Sequence, residues 1–344
     1  MVPLRVAVLG CGRIARVYMQ AFCNIGEDVR VVLAFDKVPE RAQEFAQNFD
    51  GCMASWEVEP EKVAAVLKEQ QVDLLHILLP HHLHCVYAVA ALNAGIHVLT
   101  EKPIALSMED ARKMQEASIR NHRQLGVIFQ NRYIEGVLEV RRLLQEGKLG
   151  KLKGVFSTLN WHRPPSYYRC DWKGKKATEG GGVVIDQAIH SIDLVRFVTG
   201  LEAVKIMGHT SRRVLDTIEV EDEADAAIIL NDGTVYSFFA CNYYATNSPI
   251  RVEFCCENAT ALLTYDTMTI QWNDGRLQTI CPNPNLKVSG ENYWGCFHEI
   301  QIRECYQALR ENRNMPWSAD DAAKTLEIVL GIYQSAESGC PVVL

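Results

Sequence analysis

Val6-Ala-Val-Leu-Gly10-Cys-Gly12-Arg-Ile-Ala15 decides how the first third of the chain folds. An unbroken apolar run enters a glycine turn and leaves it as a helical pattern, giving a strand, a G-x-G-x-x-A loop and a helix in succession. Gly10 permits the tight turn, Gly12 lets backbone N–H groups approach a pyrophosphate, and the small Ala15 allows the helix to pack close on the strand. Arg13 and Ile14 open that helix, whose N-terminal amides form an anion site, and are counted with the cofactor residues. Asp36 stands 26 residues beyond Gly10, at the end of the next apolar run. A carboxylate there accepts hydrogen bonds from ribose hydroxyls and repels a 2′-phosphate, so NAD is expected in preference to NADP. A solvated residue in a turn is the competing reading, and Lys37 beside it softens the discrimination.

Around this loop, short apolar runs alternate with helical patterns, the grammar of a doubly wound parallel sheet. Strands are expected over 4–9, 29–35, 74–79, 97–100 and 124–129, and helices over 14–25, 39–48, 61–70, 83–94 and 107–121. Ser107, with Asp110 three residues on, reads as the capping box of the last of these. Past residue 130 the pattern changes. A helix is expected over 135–146 and a strand over 152–160, and from Ala224 the chain reads as a β-meander. Asn231-Asp-Gly233 and Asn273-Asp-Gly275 lie between apolar runs as hairpin turns. Helical patterns over 296–310 and 318–338 close the chain. The expected division is 1–130 for cofactor binding and 131–344 for a second domain, a largely antiparallel sheet with helices on one face.

Composition narrows the partner. The 344 residues suffice for two domains, and 48% hydrophobic with 22% charged residues describe an ordinary globular chain. A net charge of −7 with no basic run argues against nucleic acid or an anionic membrane surface. No apolar run approaches the roughly 18 residues of a membrane span, and the N-terminus reads as a strand rather than a signal peptide, so a cytoplasmic protein with a small-molecule partner is expected. Twelve cysteines show no C-x-x-C spacing, and free thiols are expected.

Two more constellations carry chemistry. Leu78-Leu-Pro80-His-His-Leu-His84 and Thr100-Glu101-Lys102-Pro103 each follow a strand, which places Pro80, His84, Glu101 and Lys102 at the carboxyl edge where the ligand crevice of such a sheet lies. A charged lysine there can bond a substrate hydroxyl and stabilise the alkoxide that develops as hydride leaves. Farther on comes Glu179-Gly-Gly-Gly182-Val-Val-Ile-Asp186-Gln-Ala-Ile-His190-Ser-Ile-Asp193. At about 100° per residue, Asp186, His190 and Asp193 fall within about 60° of one another on a helix. A histidine on a stripe with a carboxylate can take a hydroxyl proton. Metal binding, with His81, His82 and His84 as further ligands, and a capped helix with a solvated polar face are the rival readings. Trp161, Tyr167, Tyr168 and Trp172, interleaved with His162, Arg163, Arg169 and Lys173, supply aromatic faces for a sugar ring, with Tyr168 and Trp172 as candidate substrate contacts. An aromatic core or interface cluster explains them equally.

Gly10-x-Gly12-x-x-Ala15, Glu101-Lys102-Pro103 and Gly181-Gly182-x-x-x-Asp186-x-x-x-His190-x-x-Asp193, in that order, resemble the Gfo/Idh/MocA oxidoreductases. Gln130-Asn-Arg132-Tyr, Gly147-Lys-Leu-Gly150 and Ser335-Ala-Glu-Ser-Gly339 also look like family segments, so the resemblance spans essentially the whole chain. It implies a Rossmann domain followed by an α+β domain with an open, mostly antiparallel sheet that often serves oligomerisation, hence a homodimer or homotetramer. It implies NAD(P)-dependent oxidation or reduction of sugars, cyclitols or related polyols without a metal. By motif match Lys102 orients substrate and stabilises the alkoxide, His190 is the acid/base, Asp186 supports or binds substrate, and Arg132 lines the same cleft. Gln187-Ala-Ile-His190 looks like the branch that oxidises the 3-hydroxyl of nucleotide-linked sugar acids, in which Asn commonly stands where this chain has Asp186. An aspartate there disfavours a further anionic group nearby. The expected reaction is oxidation of a ring secondary hydroxyl. The alternatives are a redox-neutral glycosidase or lyase working through a transient 3-keto sugar, and a cofactor-binding sensor or regulatory subunit without chemistry.

Overall fold

The computed structural model describes residues 2–283 and 297–344. In the first unit β1 (Leu4–Leu9), α1 (Ala15–Ile25), β2 (Val29–Phe35), α2 (Pro39–Ala46), β3 (Met53–Ser55), α3 (Pro60–Glu69), β4 (Leu74–Ile77), α4 (His84–Asn93), β5 (His97–Thr100), α5 (Met108–Arg120) and β6 (Leu125–Val127) follow one another. The strands form one sheet in the order β3-β2-β1-β4-β5-β6, and all its pairs are parallel. Val6, Ala7 and Val8 have no exposed surface, which explains why β1 reads as a continuous apolar run: a strand covered on both faces needs no polar alternation. The strand order reverses at β1 and β4, and the loops that follow them meet at the carboxyl edge. β3, absent from the sequence reading, is a three-residue edge strand too short to show a period. Proline opens α2 and α3, and the Ser107 hydroxyl caps α5 by accepting the Asp110 N–H at 3.1 Å.

The second unit begins at Asn131. It contains α6 (Glu135–Gln145), β7 (Leu152–Asn160), the short α7 (Lys176–Glu179), α8 (Ile189–Thr199), β8 (Ala203–Ser211), β9 (Glu223–Leu230), β10 (Val235–Cys241), β11 (Arg251–Cys256), β12 (Ala259–Thr264), β13 (Thr267–Trp272) and β14 (Leu277–Ile280). Beyond these, α9 (His298–Arg310) belongs with the first unit, while α10 (Ala319–Ser338), from Lys324 onward, and β15 (Val342–Val343) belong with the second. Nine strands form the second sheet in the order β14-β13-β12-β11-β7-β10-β9-β8-β15, antiparallel except for the β7–β10 pair. Both predicted hairpin turns are present, and Gly233 and Gly275 adopt φ of 89° and 90°, which a side chain would strain. Buried and half-buried residues alternate along β12, the mark of a sheet covered on one side. On the covered side α6 packs so close at Gly136 that a Cβ there would lie 2.2 Å from the Cβ of Met268. Phe156, Met207 and Val235 remain exposed on their strands.

The sequence division at residue 130 differs from the structure in one respect: the segment ending at Ala323 returns to the first unit. There Asn24 donates to Glu299 at 2.7 Å, and His76 meets the Tyr306 hydroxyl at 2.7 Å. These pairs join residues more than two hundred positions apart, beyond the reach of any local pattern. The predicted helix start at Cys296 lies outside the described residues.

Candidate active site

The glycine loop is shaped by its neighbours. Gly10 has φ 100°, and a Cβ on it would lie 2.6 Å from the Leu78 carbonyl oxygen, so only glycine fits. At Gly12 a Cβ would meet no protein atom within 4 Å. The protein's own packing therefore does not demand glycine at Gly12, and the space it leaves lies over the uncapped N-terminus of α1, where first-turn amides favour an anion. Asp36 is held against this turn: Oδ2 accepts the Cys11 N–H and Oδ1 the Val38 N–H, both at 2.8 Å. The open glycine cradle, the helix start without a side-chain cap and the oriented carboxylate fit a dinucleotide. Arg13 is exposed at the same loop, and Ile14 is half-buried.

At the carboxyl edge, Lys102 is half-buried just beyond β5, and its peptide bond to Pro103 is cis. Glu101 turns inward, accepting from the Tyr18 hydroxyl at 2.7 Å and lying 3.3 Å from Nε2 of His298. Burial would raise its pKa, but His298, Tyr18 and the charge of Lys102 outweigh burial and bring it down to about 2. Glu101 thus anchors the segment that carries Lys102. His84, expected at the cofactor, is wholly enclosed, with Nδ1 2.8 Å from the Pro103 oxygen and Nε2 2.8 Å from the Leu79 oxygen. Its ring ties the two edge loops together and presents no surface to a ligand. Pro80 keeps partial exposure.

In the second unit the glycine triplet accommodates Glu221 and Tyr333. A Cβ on Gly182 would lie 1.9 Å from the Glu221 carbonyl oxygen, and one on Gly181 would lie 2.1 Å from the Tyr333 hydroxyl. The Glu221 carboxylate accepts the N–H groups of Gly182 at 2.7 Å and Val184 at 3.0 Å, satisfying donors that a helix start leaves open. The chain then passes through a π-turn over Val184–Ala188 into α8. All residues from Val183 to Val198 are buried, so no solvated polar face exists there. Asp186 and His190 retain the most surface in that stretch, 8% each, while Asp193 retains 1%. Oδ2 of Asp186 collects three donors: Lys173 Nζ at 2.6 Å, Gln187 Nε2 at 2.7 Å and the Tyr167 hydroxyl at 2.8 Å. The Tyr168 hydroxyl accepts from Asn242 at 3.0 Å, and Trp172 stacks its ring 4.3 Å from Lys173 Nζ.

Two family models cover most of the chain: "Oxidoreductase family, NAD-binding Rossmann fold" matches residues 4–129, and "GFO/IDH/MocA C-terminal domain" matches residues 137–262. The chain belongs to the Gfo/Idh/MocA oxidoreductases. A D-glucoside 3-dehydrogenase of Escherichia coli is 27% identical over 99% of this chain and 98% of its own length. A scyllo-inositol 2-dehydrogenase (NAD(+)) of Bacillus subtilis is 24% identical over 99% and 96%. Among solved structures, the WlbA dehydrogenase of Chromobacterium violaceum, in complex with NADH and UDP-GlcNAcA, superposes with a TM-score of 0.86 at 23% identity, covering 100% of this chain and 96% of that one. The fold is therefore that of the family, and the protein is an NAD-binding enzyme.

Within this Gfo/Idh/MocA chain two expected site residues have other partners. Asp193, 1% exposed, is taken up by partners other than those of Asp186. Its Oδ2 and Oδ1 take Arg132 Nε at 2.7 Å and Nη2 at 2.5 Å, and the Thr325 hydroxyl donates to Oδ1 at 3.0 Å. Arg132, expected to touch substrate, is 1% exposed and stacks 5.2 Å over Phe197. This pair braces α8 against the start of the second unit. Conversely, no spacing rule pointed to Lys173 or Gln187 as partners of Asp186, since the contact depends on how the loop after Tyr168 folds back. Among the described residues no three His, Cys, Asp or Glu side chains are grouped to hold a metal ion.

Proposed function

We propose that this enzyme is an NAD-dependent dehydrogenase of a ring secondary hydroxyl in a sugar, glycoside or related polyol. The observation that carries the reading is the placing of Asp186 and His190 four residues apart on one buried segment, with Asp186 fixed by three donors. NAD, when bound, supplies the acceptor for the hydride of the carbinol carbon. His190 accepts the hydroxyl proton, and Asp186 receives a hydroxyl hydrogen bond that orients the ring. Lys102 donates to the reacting oxygen, and its charge favours the alkoxide as the C–H bond weakens. Gly10, Gly12 and the first turn of α1 hold the pyrophosphate, and Asp36 selects NAD over NADP. Tyr168 and Trp172 offer aromatic faces to the sugar. The relatives named above support this substrate class through the activities in their names. The exposed Phe156, Met207 and Val235 support a homodimer or homotetramer formed through the second sheet.

The test is incubation with pyranosides, inositols and nucleotide sugars and either cofactor, followed by nicotinamide absorbance and product mass. Stoichiometric NADH with a product two hydrogens lighter is expected. Aglycone release without net NADH would replace oxidation by the redox-neutral cycle, and cofactor binding without any turnover would favour the sensor.

A further inference from the structure

Lys173 lies at the centre of a buried charge cluster in which the proposed chemistry gives only Asp186 a part in the reaction. Its Nζ is 2.6 Å from Asp186 Oδ2 and 3.3 Å from Glu179 Oε1, and the three side chains are 13%, 8% and 1% exposed. The rings of Tyr167 and Trp172 lie 4.6 and 4.3 Å from the ammonium, a cation–π enclosure. The loop that carries it is fixed. Gly174 has φ 74°, a Cβ there would lie 2.9 Å from Ile218 Cγ2, and the Thr178 hydroxyl donates to the Trp172 carbonyl at 2.6 Å. A buried lysine is costly to maintain, and here it is preset by backbone geometry rather than drawn in from the surface.

One ammonium stands between two carboxylates, with Asp186 the nearer. Glu179, farther away and with its other oxygen on the Gly174 N–H at 2.5 Å, is pushed up by burial and by the charge of Asp186. Among the described residues, the titratable and charged groups around the cluster include Tyr167, Tyr168, Tyr333 on the Glu179 side and, across the Tyr167 ring, Arg163.

We propose that Lys173 is a positioning residue: it holds Asp186 as an oriented carboxylate four residues before His190, and so keeps the proton-accepting role on the histidine. The inference rests on the dehydrogenase reading for its kinetic consequence but not for the pairing itself. It also alters the expectation drawn from Asp186 alone. With the carboxylate charge balanced by Lys173, a substrate carrying an anionic group near this oxygen meets no net repulsion.

The pairing is tested first without substrate. The carboxyl carbon of Asp186 is followed by 13C NMR as a function of pH, assigned by its loss in Asp186→Asn. Asp186 is expected to titrate at least about one pH unit higher in Lys173→Gln than in the wild type, and near the wild-type value in Lys173→Arg. Equal midpoints in wild type and Lys173→Gln overturn the proposal. Kinetically, Lys173→Gln is expected to lower kcat about 10- to 100-fold and raise the acid limb of kcat/KM, with Lys173→Arg within a few-fold of wild type. In an Asp186→Asn background, Lys173→Gln should add less than about two-fold. Full additivity, or an unmoved acid limb in the folded variant, also overturns it. Should Lys173→Gln fail to fold, the neutral and similarly sized Lys173→Met is titrated in its place, and an Asp186 midpoint equal to that of the wild type again overturns the proposal. A shifted NMR midpoint in an enzyme that oxidises nothing in the panel leaves the pairing standing and removes the dehydrogenase reading.

Discussion

Asp36 and Cys11 are joined across the mouth of the glycine turn, the Cys11 N–H donating to Asp36 Oδ2 at 2.8 Å. The carboxylate is thereby aimed before any ligand arrives, and its remaining lone pairs are available to ribose hydroxyls. Asp36→Ser should remove both the hydroxyl acceptor and the charge that repels a 2′-phosphate. The ratio of kcat/KM for NAD over NADP is expected to fall by about 10- to 100-fold, the worth of a charged hydrogen bond. Steady-state kinetics with both cofactors measure this, and an unchanged ratio would mean that another residue reads the ribose.

Lys102 and His190 are expected to be separable from cofactor binding. Lys102→Met and His190→Asn should each lower kcat by about 10²- to 10⁴-fold, because each removes an interaction that strengthens as the alkoxide and proton develop. NADH affinity, followed by nicotinamide fluorescence, should change little in His190→Asn. Wild-type turnover in both variants would sink the assignment.

Arg132 and Asp193 predict a loss of stability rather than of chemistry. Both are 1% exposed, so removing either leaves a buried charge without its counter-ion. Asp193→Asn and Arg132→Met should each lower the unfolding free energy by about 3–5 kcal/mol, and the double variant should recover part of that loss. Urea titration of the three variants measures it. A stable Arg132→Met with a raised KM would instead restore the substrate-contact role expected from its motif.

Five of the six strands of the first sheet could be read from the sequence because each is a local apolar run, and Gly10 and Asp36 lie one βα unit apart. Local periodicity does not report what Arg132, Glu101 or Lys173 touch. Asp193 sits at a helical spacing from His190 that looks shared, yet Arg132 from the start of the second unit and Thr325 from α10 give it different partners. The carboxyl-edge motif announced Glu101, whereas its supports, Tyr18 and His298, come from opposite ends of the chain. Gly182 shows the same asymmetry: its presence was legible, and its cause, the Glu221 carbonyl, was not.

Glu101 sets an acid limit on the first unit. Its folded pKa of about 2 lies below its ordinary 4.5, so it stabilises the fold fully above pH 4.5, and that contribution is lost as pH falls toward 2. The shift corresponds to about 3 kcal/mol. Glu101→Gln should therefore be less stable than wild type at pH 7, with the difference narrowing steadily between pH 4.5 and 2. Parallel unfolding curves for the two proteins across that range would contradict the assignment.

Cys11 lies within the phosphate loop yet should be chemically quiet. Burial first, then the charge of Asp36, pushes its thiol up to about 12, and Sγ donates to the Phe35 carbonyl at 3.5 Å. Relative to a thiol of pKa 9.0, its thiolate fraction at pH 8 is about a thousandfold smaller. All eleven cysteines among the described residues are free, and Cys23, Cys170, Cys281 and Cys340 are exposed. Brief alkylation at pH 8 followed by peptide mapping should therefore modify those four and spare Cys11, with no disulfide-linked peptides among them. Because the thiol is turned toward β2 while the backbone N–H of the same residue engages Asp36, Cys11→Ala should leave NAD affinity within about two-fold of wild type. Rapid labelling of Cys11, blocked by NAD, would instead place its sulfur in the path of the pyrophosphate.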